Sequence, residues 1–99
     1  MSKFINLLAI IVTLQCTAYA DRGVTASGEP VRAGICAMDK LNGVMVPFGS
    51  RVTLQDGTVL VVKDRLGGKY NNRLDIWIPK ESACRLFGRK DLKCEVQLP

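Results

Sequence analysis

Short apolar runs separated by glycine, asparagine, aspartate and proline dominate the chain, and this rhythm predicts many short strands rather than long helices. Ile35 to Met38, Arg51 to Gln55, Val59 to Lys63, Leu74 to Ile78 and Leu92 to Leu98 each read as a strand, and Gln55-Asp56-Gly57-Thr58 supplies an Asp-Gly hairpin turn between two of them. One short helix is expected over Lys80 to Phe87, with Pro79 at its start, Gly88 at its stop, and Ala83, Leu86 and Phe87 at helical spacing. No internal repeat, low-complexity tract or linker interrupts the pattern. The expected fold class is all-β: a compact barrel with one short helix, because closing the sheet removes exposed strand edges.

The first residues carry two conflicting signals. Lys3 followed by the apolar stretch Phe4 to Leu14, broken only by Asn6 and Thr13, has the form of a secretory signal and is too short for a stable membrane span. Residues 1–15 are therefore expected to be a signal-like segment and residues 16–99 the folded domain. A small-residue cleavage site would be Ala18-Tyr19-Ala20, before Asp21, yet a cut there removes Cys16 and leaves three cysteines. The competing reading makes Ile10 to Tyr19 a buried first strand. Export, to a periplasmic or cell-wall location, is the expectation, with the cleavage point open.

Composition narrows the chemistry. With 99 residues one core is the bound, and six aromatics leave Val, Leu and Ile to fill it. The 14 basic and 9 acidic residues give a charge of +5, but they are interleaved, so no basic helix or aromatic-studded basic strand points to nucleic acid. Cys16, Cys36, Cys84 and Cys94 are an even set in a short chain, as in exported domains stapled by disulfides. They contain no Cys-x-x-Cys pair, and their spacing matches no common zinc module, so neither metal nor cofactor is expected. The absence of histidine removes Ser-His and Cys-His catalysis and leaves carboxylates as the leading candidates.

Asp75 is the anomaly among them. A carboxylate flanked by Leu74, Ile76, Trp77 and Ile78 is a poor strand former and costly to bury. Simple alternation offers a plain explanation, with Ile76 and Ile78 facing inward and Asp75 facing solvent. Asp64 ends the preceding strand eleven residues earlier, and Asp39 follows the apolar Ile35-Cys36-Ala37-Met38, where alone it would cap a turn. Gly67-Gly68-Lys69 is no phosphate loop, since Lys63 stands where that motif needs glycine and no Ser or Thr follows Lys69.

Taken in order, these pieces resemble the three-aspartate domain, a double-psi β-barrel found in membrane-bound lytic transglycosylase A and in small cell-wall-acting proteins. Thr17-Ala18-Tyr19 resembles its opening strand, Thr25-Ala26-Ser27-Gly28 a loop, Gly34 to Asp39 its next strand, and Val46-Pro47-Phe48-Gly49-Ser50 a turn. Asp64 to Gly68 and Asn72-Arg73-Leu74-Asp75-Ile76-Trp77 resemble its central signature, and Ala83 with Phe87-Gly88-Arg89 its closing helix and turn. The glycines after Asp64 are displaced by one position, Tyr70 and Asn71 differ from the pattern, and the stretch before Pro47 is long.

The resemblance implies a six-stranded double-psi β-barrel with one short helix. It also implies cleavage of peptidoglycan glycan strands between N-acetylmuramic acid and N-acetylglucosamine, ending in a 1,6-anhydro sugar. Asp75 would be the single acid/base, Asp64 and Asp39 would support it, and Thr17, Tyr19, Thr25 and Lys69 would contact saccharide. Two other functions fit the residues: a non-catalytic peptidoglycan-binding or wall-loosening module, and a protein-interaction or inhibitor module.

Overall fold

The computed structural model describes residues 9–99. Its elements are β1 (Ala9–Tyr19), β2 (Ile35–Ala37), β3 (Lys40–Leu41), β4 (Val44–Met45), β5 (Arg51–Thr53), β6 (Val59–Asp64), β7 (Arg73–Trp77), α1 (Glu81–Phe87) and β8 (Lys90–Gln97). Among these residues six strands close a barrel in the order β1-β7-β2-β6-β5-β8, while β3 and β4 form a separate hairpin. The fold is all-β with one short helix. The five strands and the helix anticipated from the apolar runs are all present, with ends shifted by up to two residues.

Strand β1 makes the closure possible. Its first part pairs antiparallel with β8, from Ala9 opposite Gln97 to Cys16 opposite Lys90, and its last part pairs parallel with β7, from Gln15 opposite Arg73 to Tyr19 opposite Trp77. One strand of 11 residues thus serves two neighbours. The apolar stretch expected to be the middle of a signal is, from Ala9 onward, part of this strand; its earlier residues lie outside the described ones. Leu14 and Cys16 are fully buried, and Ile10 and Val12 pack against the core.

The hairpin expected at Asp56-Gly57 joins β5 to β6. Gly57 N–H donates to the Leu54 carbonyl and Leu54 N–H to the Thr58 carbonyl, while the Asp56 carboxylate accepts from Thr58 N–H. This is a three-residue turn closed by a residue at φ 91°, a value that favours glycine.

Alternation along the strands sorts two buried sets. Leu14, Cys16, Cys36, Val52, Val62, Leu74, Ile76, Cys94 and Val96 face the barrel interior. Ile35, Ala37 and Trp77 are also buried but stand outside that cluster, at the alternate positions of β2 and β7. Segment 20–34 lies against this outer face: the Trp77 indole N–H donates to the Asp21 carbonyl, Ser27 N–H to the Lys63 carbonyl, and Val61 N–H to the Gly34 carbonyl. A second, smaller apolar layer therefore sits outside the barrel wall, and it ends beside Asp75.

Two expectations change. The disulfide framework is not formed: all four cysteines are free thiols. Cys16, Cys36 and Cys94 fill the barrel interior as small apolar side chains; burial pushes the Cys16 thiol up to about 12 and moves the other two in the same direction. Cys84 lies away from them on α1, where its thiol approaches the Ile78 carbonyl at 3.7 Å. The second change is in α1, whose three apolar residues do not share one buried face. Ala83 and Phe87 are half-buried, but Leu86 is 89% exposed.

Candidate active site

Parallel pairing of β1 with β7 places side chains of equal parity side by side. Gln15 lies opposite Arg73, Thr17 opposite Asp75 and Tyr19 opposite Trp77. Leu74 and Ile76 point into the barrel, so Asp75 faces outward, as alternation alone suggests. It is not left in open solvent. Between Thr17 on β1 and Ala37 on β2, its partners in register, it is half-buried, and the Thr17 hydroxyl donates to its Oδ1 at 2.9 Å.

That environment raises the Asp75 pKa. Desolvation is the largest cause, and the negative charges of Asp21 and Asp64 push the same way; the Thr17 hydrogen bond and the Arg73 charge oppose them. A half-buried carboxyl with one donor and two like charges nearby holds a proton to higher pH than an ordinary aspartate does. This is the property a general acid requires.

Asp64, at the end of β6, is arranged differently. Its Oδ1 accepts from the N–H groups of Ala26 and Arg65, both at 2.9 Å, and its Oδ2 accepts from the Tyr19 hydroxyl at 2.9 Å. One carboxylate thereby ties β1, β6 and segment 20–34 together. Burial, together with the bond to Asp64, pushes the Tyr19 phenol above its ordinary range, so Tyr19 remains a hydroxyl donor. Asp64 positions the ledge on which Asp75 sits.

Asp39 occupies a separate socket. It is fully buried and accepts three backbone N–H groups from the β6–β7 loop: Leu66 at 2.8 Å on Oδ1, and Gly68 at 2.8 Å and Tyr70 at 3.1 Å on Oδ2. Gly67 and Gly68, at φ 124° and 91°, let the loop turn alternate N–H groups inward. Glycines that superficially suggested phosphate binding are used to enclose a carboxylate of the chain itself.

The expected saccharide-contacting residues divide. Thr17 and Tyr19 lie on the ledge, bonded to Asp75 and Asp64. Thr25 is buried, with its hydroxyl engaged by Ser27 and the Glu29 carbonyl, so it serves its own turn. Lys69 is exposed on the β6–β7 loop, 5.6 Å from the centre of the Tyr70 ring. Sequence reading missed Asp21 and Arg73. Arg73 was detectable, because its separation of two from Asp75 places both on one strand face; Asp21 reaches Asp75 only through tertiary folding.

A cleft of about 390 Å³, lined by Ala18, Tyr19, Ala20, Asp21, Glu81, Cys84 and Arg85, adjoins the ledge through Tyr19, while Asp75, Thr17 and Asp64 stand outside its lining. Among the described residues no group of three or more His, Cys, Asp or Glu side chains is placed to hold a metal ion. Comparison with protein-family models, with curated proteins and with solved structures returned no match.

Proposed function

We propose that the chain is an exported peptidoglycan lytic transglycosylase of the three-aspartate, double-psi barrel kind, with Asp75 as its single acid/base. The observation that carries this reading is the half-buried Asp75, whose pKa is raised by desolvation and two neighbouring carboxylates, on a ledge that adjoins a cleft. Protonated Asp75 would give its proton to the glycosidic oxygen as the bond from muramyl C1 breaks. The resulting carboxylate would then take the proton of the muramyl C6 hydroxyl as that oxygen bonds to C1, closing the 1,6-anhydro ring. Water takes no part, and one carboxyl serves both steps, unlike glycosidases that work with a carboxylate pair. Asp64 and Tyr19 would shape the ledge, and Asp39 would hold the adjacent loop.

Purified sacculi incubated with the protein and analysed by mass spectrometry test this reading. Anhydromuramyl ends are expected with the native chain and absent with Asp75→Asn; no such ends, or ends that persist in the variant, refute it. The second reading is a non-catalytic wall-binding or wall-loosening module, favoured by the position of Asp75 on an outer strand face rather than deep in a cavity. It requires sacculus pull-down that survives Asp75→Asn without product.

A further inference from the structure

Next to Asp75 the ledge changes sign. Arg73 is two residues away on the same face of β7, a rise of about 6.6 Å at the usual strand spacing. Its Nε donates to the Gln15 side-chain carbonyl at 2.9 Å, and its guanidinium lies 4.9 Å from the centre of the Tyr70 ring. Lys69 approaches the same ring. These contacts orient the guanidinium without neutralising it. Among the described residues the ion pairs within 4.0 Å are Glu29 with Arg32 and Lys63, and Glu81 with Arg85, so neither Arg73 nor Lys69 has a carboxylate partner. The carboxylate in register across β1, Asp91, lies beyond Gln15.

We infer that Arg73, oriented by Gln15 and Tyr70 and assisted by Lys69, forms an anion subsite that takes a carboxylate on the glycan strand, about one sugar ring from the linkage at Asp75. The inference rests on the proposed glycan reading and adds the substrate class: glycan strands stripped of stem peptide, whose muramic lactyl groups are free carboxylates, rather than peptide-capped or neutral saccharide. With Nε committed to Gln15, the terminal amino groups remain to grip a carboxylate side by side, a geometry that lysine does not reproduce.

Such binding would reach the chemistry through charge. The Arg73 charge lowers the Asp75 pKa, so a carboxylate that neutralises Arg73 lets that pKa rise and favours the protonated acid when substrate is present. The subsite would therefore couple recognition to the proton needed for bond cleavage.

Calorimetric titration separates this inference from the broader reading. The probes are peptide-free glycan strands with free muramic lactyl carboxylates, the same strands with those carboxylates methylamidated, and neutral chitohexaose. With Asp75→Asn in every chain, so that strands are bound without being cleaved, the otherwise native protein is expected to bind the carboxylated strand about tenfold more tightly than the other two, the difference shrinking as salt is raised. Arg73→Gln should abolish that difference and leave chitohexaose affinity within about twofold, Arg73→Lys should keep only part of it, and Lys93→Gln on β8 should keep it all. Equal affinity for the three probes overturns the subsite while the glycan reading stands. So does a loss in Lys93→Gln that matches Arg73→Gln, which would reflect net charge alone. Failure to bind any probe overturns both.

Discussion

Asp39 and Asp75 are the same residue type in the same domain, yet their surroundings differ in kind. Asp39 has no exposure and three backbone N–H donors, so its charge is satisfied and it pins a loop. Asp75 has one hydroxyl donor, partial burial, and two like charges nearby, so its charge is penalised and its pKa lies above that of an ordinary aspartate. The lesson is that hydrogen-bond supply, more than burial, separates a carboxylate held as a structural pin from one whose charge is left poorly supported.

The largest expected effect comes from removing the strand that supports the ledge. Deleting residues 1–20 removes β1 with the buried Leu14 and Cys16, plus Ile10 and Val12 packed on the core. At about 1.5–3 kcal/mol per buried apolar side chain, this loss rivals a net stability of roughly 5–15 kcal/mol. The truncated chain should show no cooperative urea transition. A folded truncation product would instead make cleavage before Asp21 compatible with function.

Next in size, Asp39→Asn turns an amide NH₂ toward at least one buried backbone N–H. The expected cost is about 3 kcal/mol or more, read as a fall in the urea midpoint. Asp75→Asn should reverse the pattern, with unfolding stability kept or slightly raised and anhydromuramyl release reduced about 10²- to 10⁴-fold. If Asp39→Asn left stability intact, or Asp75→Asn lowered it as much, the distinction between the two sites would fail.

Smaller changes sharpen the account of Asp75. Thr17→Val removes its donor and so raises the carboxyl pKa further, whereas Asp21→Asn removes a like charge and lowers it. The alkaline limb of the pH–activity profile should move up in the first variant and down in the second; movement in one direction for both would rule out Asp75 as the titrating acid. The smallest effect concerns stability. Because the native pKa of Asp75 is raised, the folded state binds more protons than the unfolded state between the ordinary aspartate value of about 3.9 and the raised value. Stability therefore declines as pH rises through that window. Asp75→Asn should relieve the penalty, giving a Tm gain over the native chain at neutral pH that disappears below pH of about 4.

Much of the architecture was visible in the linear pattern. The runs of Val, Leu and Ile between turn residues specified short strands, and Pro79 and Gly88 bounded the helix, because strand and turn propensities act over a few residues. The alternation around Asp75 correctly pointed it outward. The cysteine count misled, because parity says nothing about which thiols meet; three became interior packing and the fourth lies apart on α1. The apolar stretch at the start was ambiguous for a similar reason. A signal core and a buried strand share one composition, and only pairing with β7 and β8 makes residues from Ala9 onward a strand.

The sequence by itself determined the strand-forming runs, the turns, the exclusion of histidine chemistry and the outward direction of Asp75. Tertiary structure decided that Asp39 is enclosed by the loop around Gly68, that Asp64 is tied to Tyr19 and Ala26, and that Asp21 comes within electrostatic reach of Asp75. Local patterns arise from steric and solvation preferences of neighbouring residues. The hydrogen-bond donors and charges that set the state of a carboxyl come from residues tens of positions away, brought together only when the barrel closes.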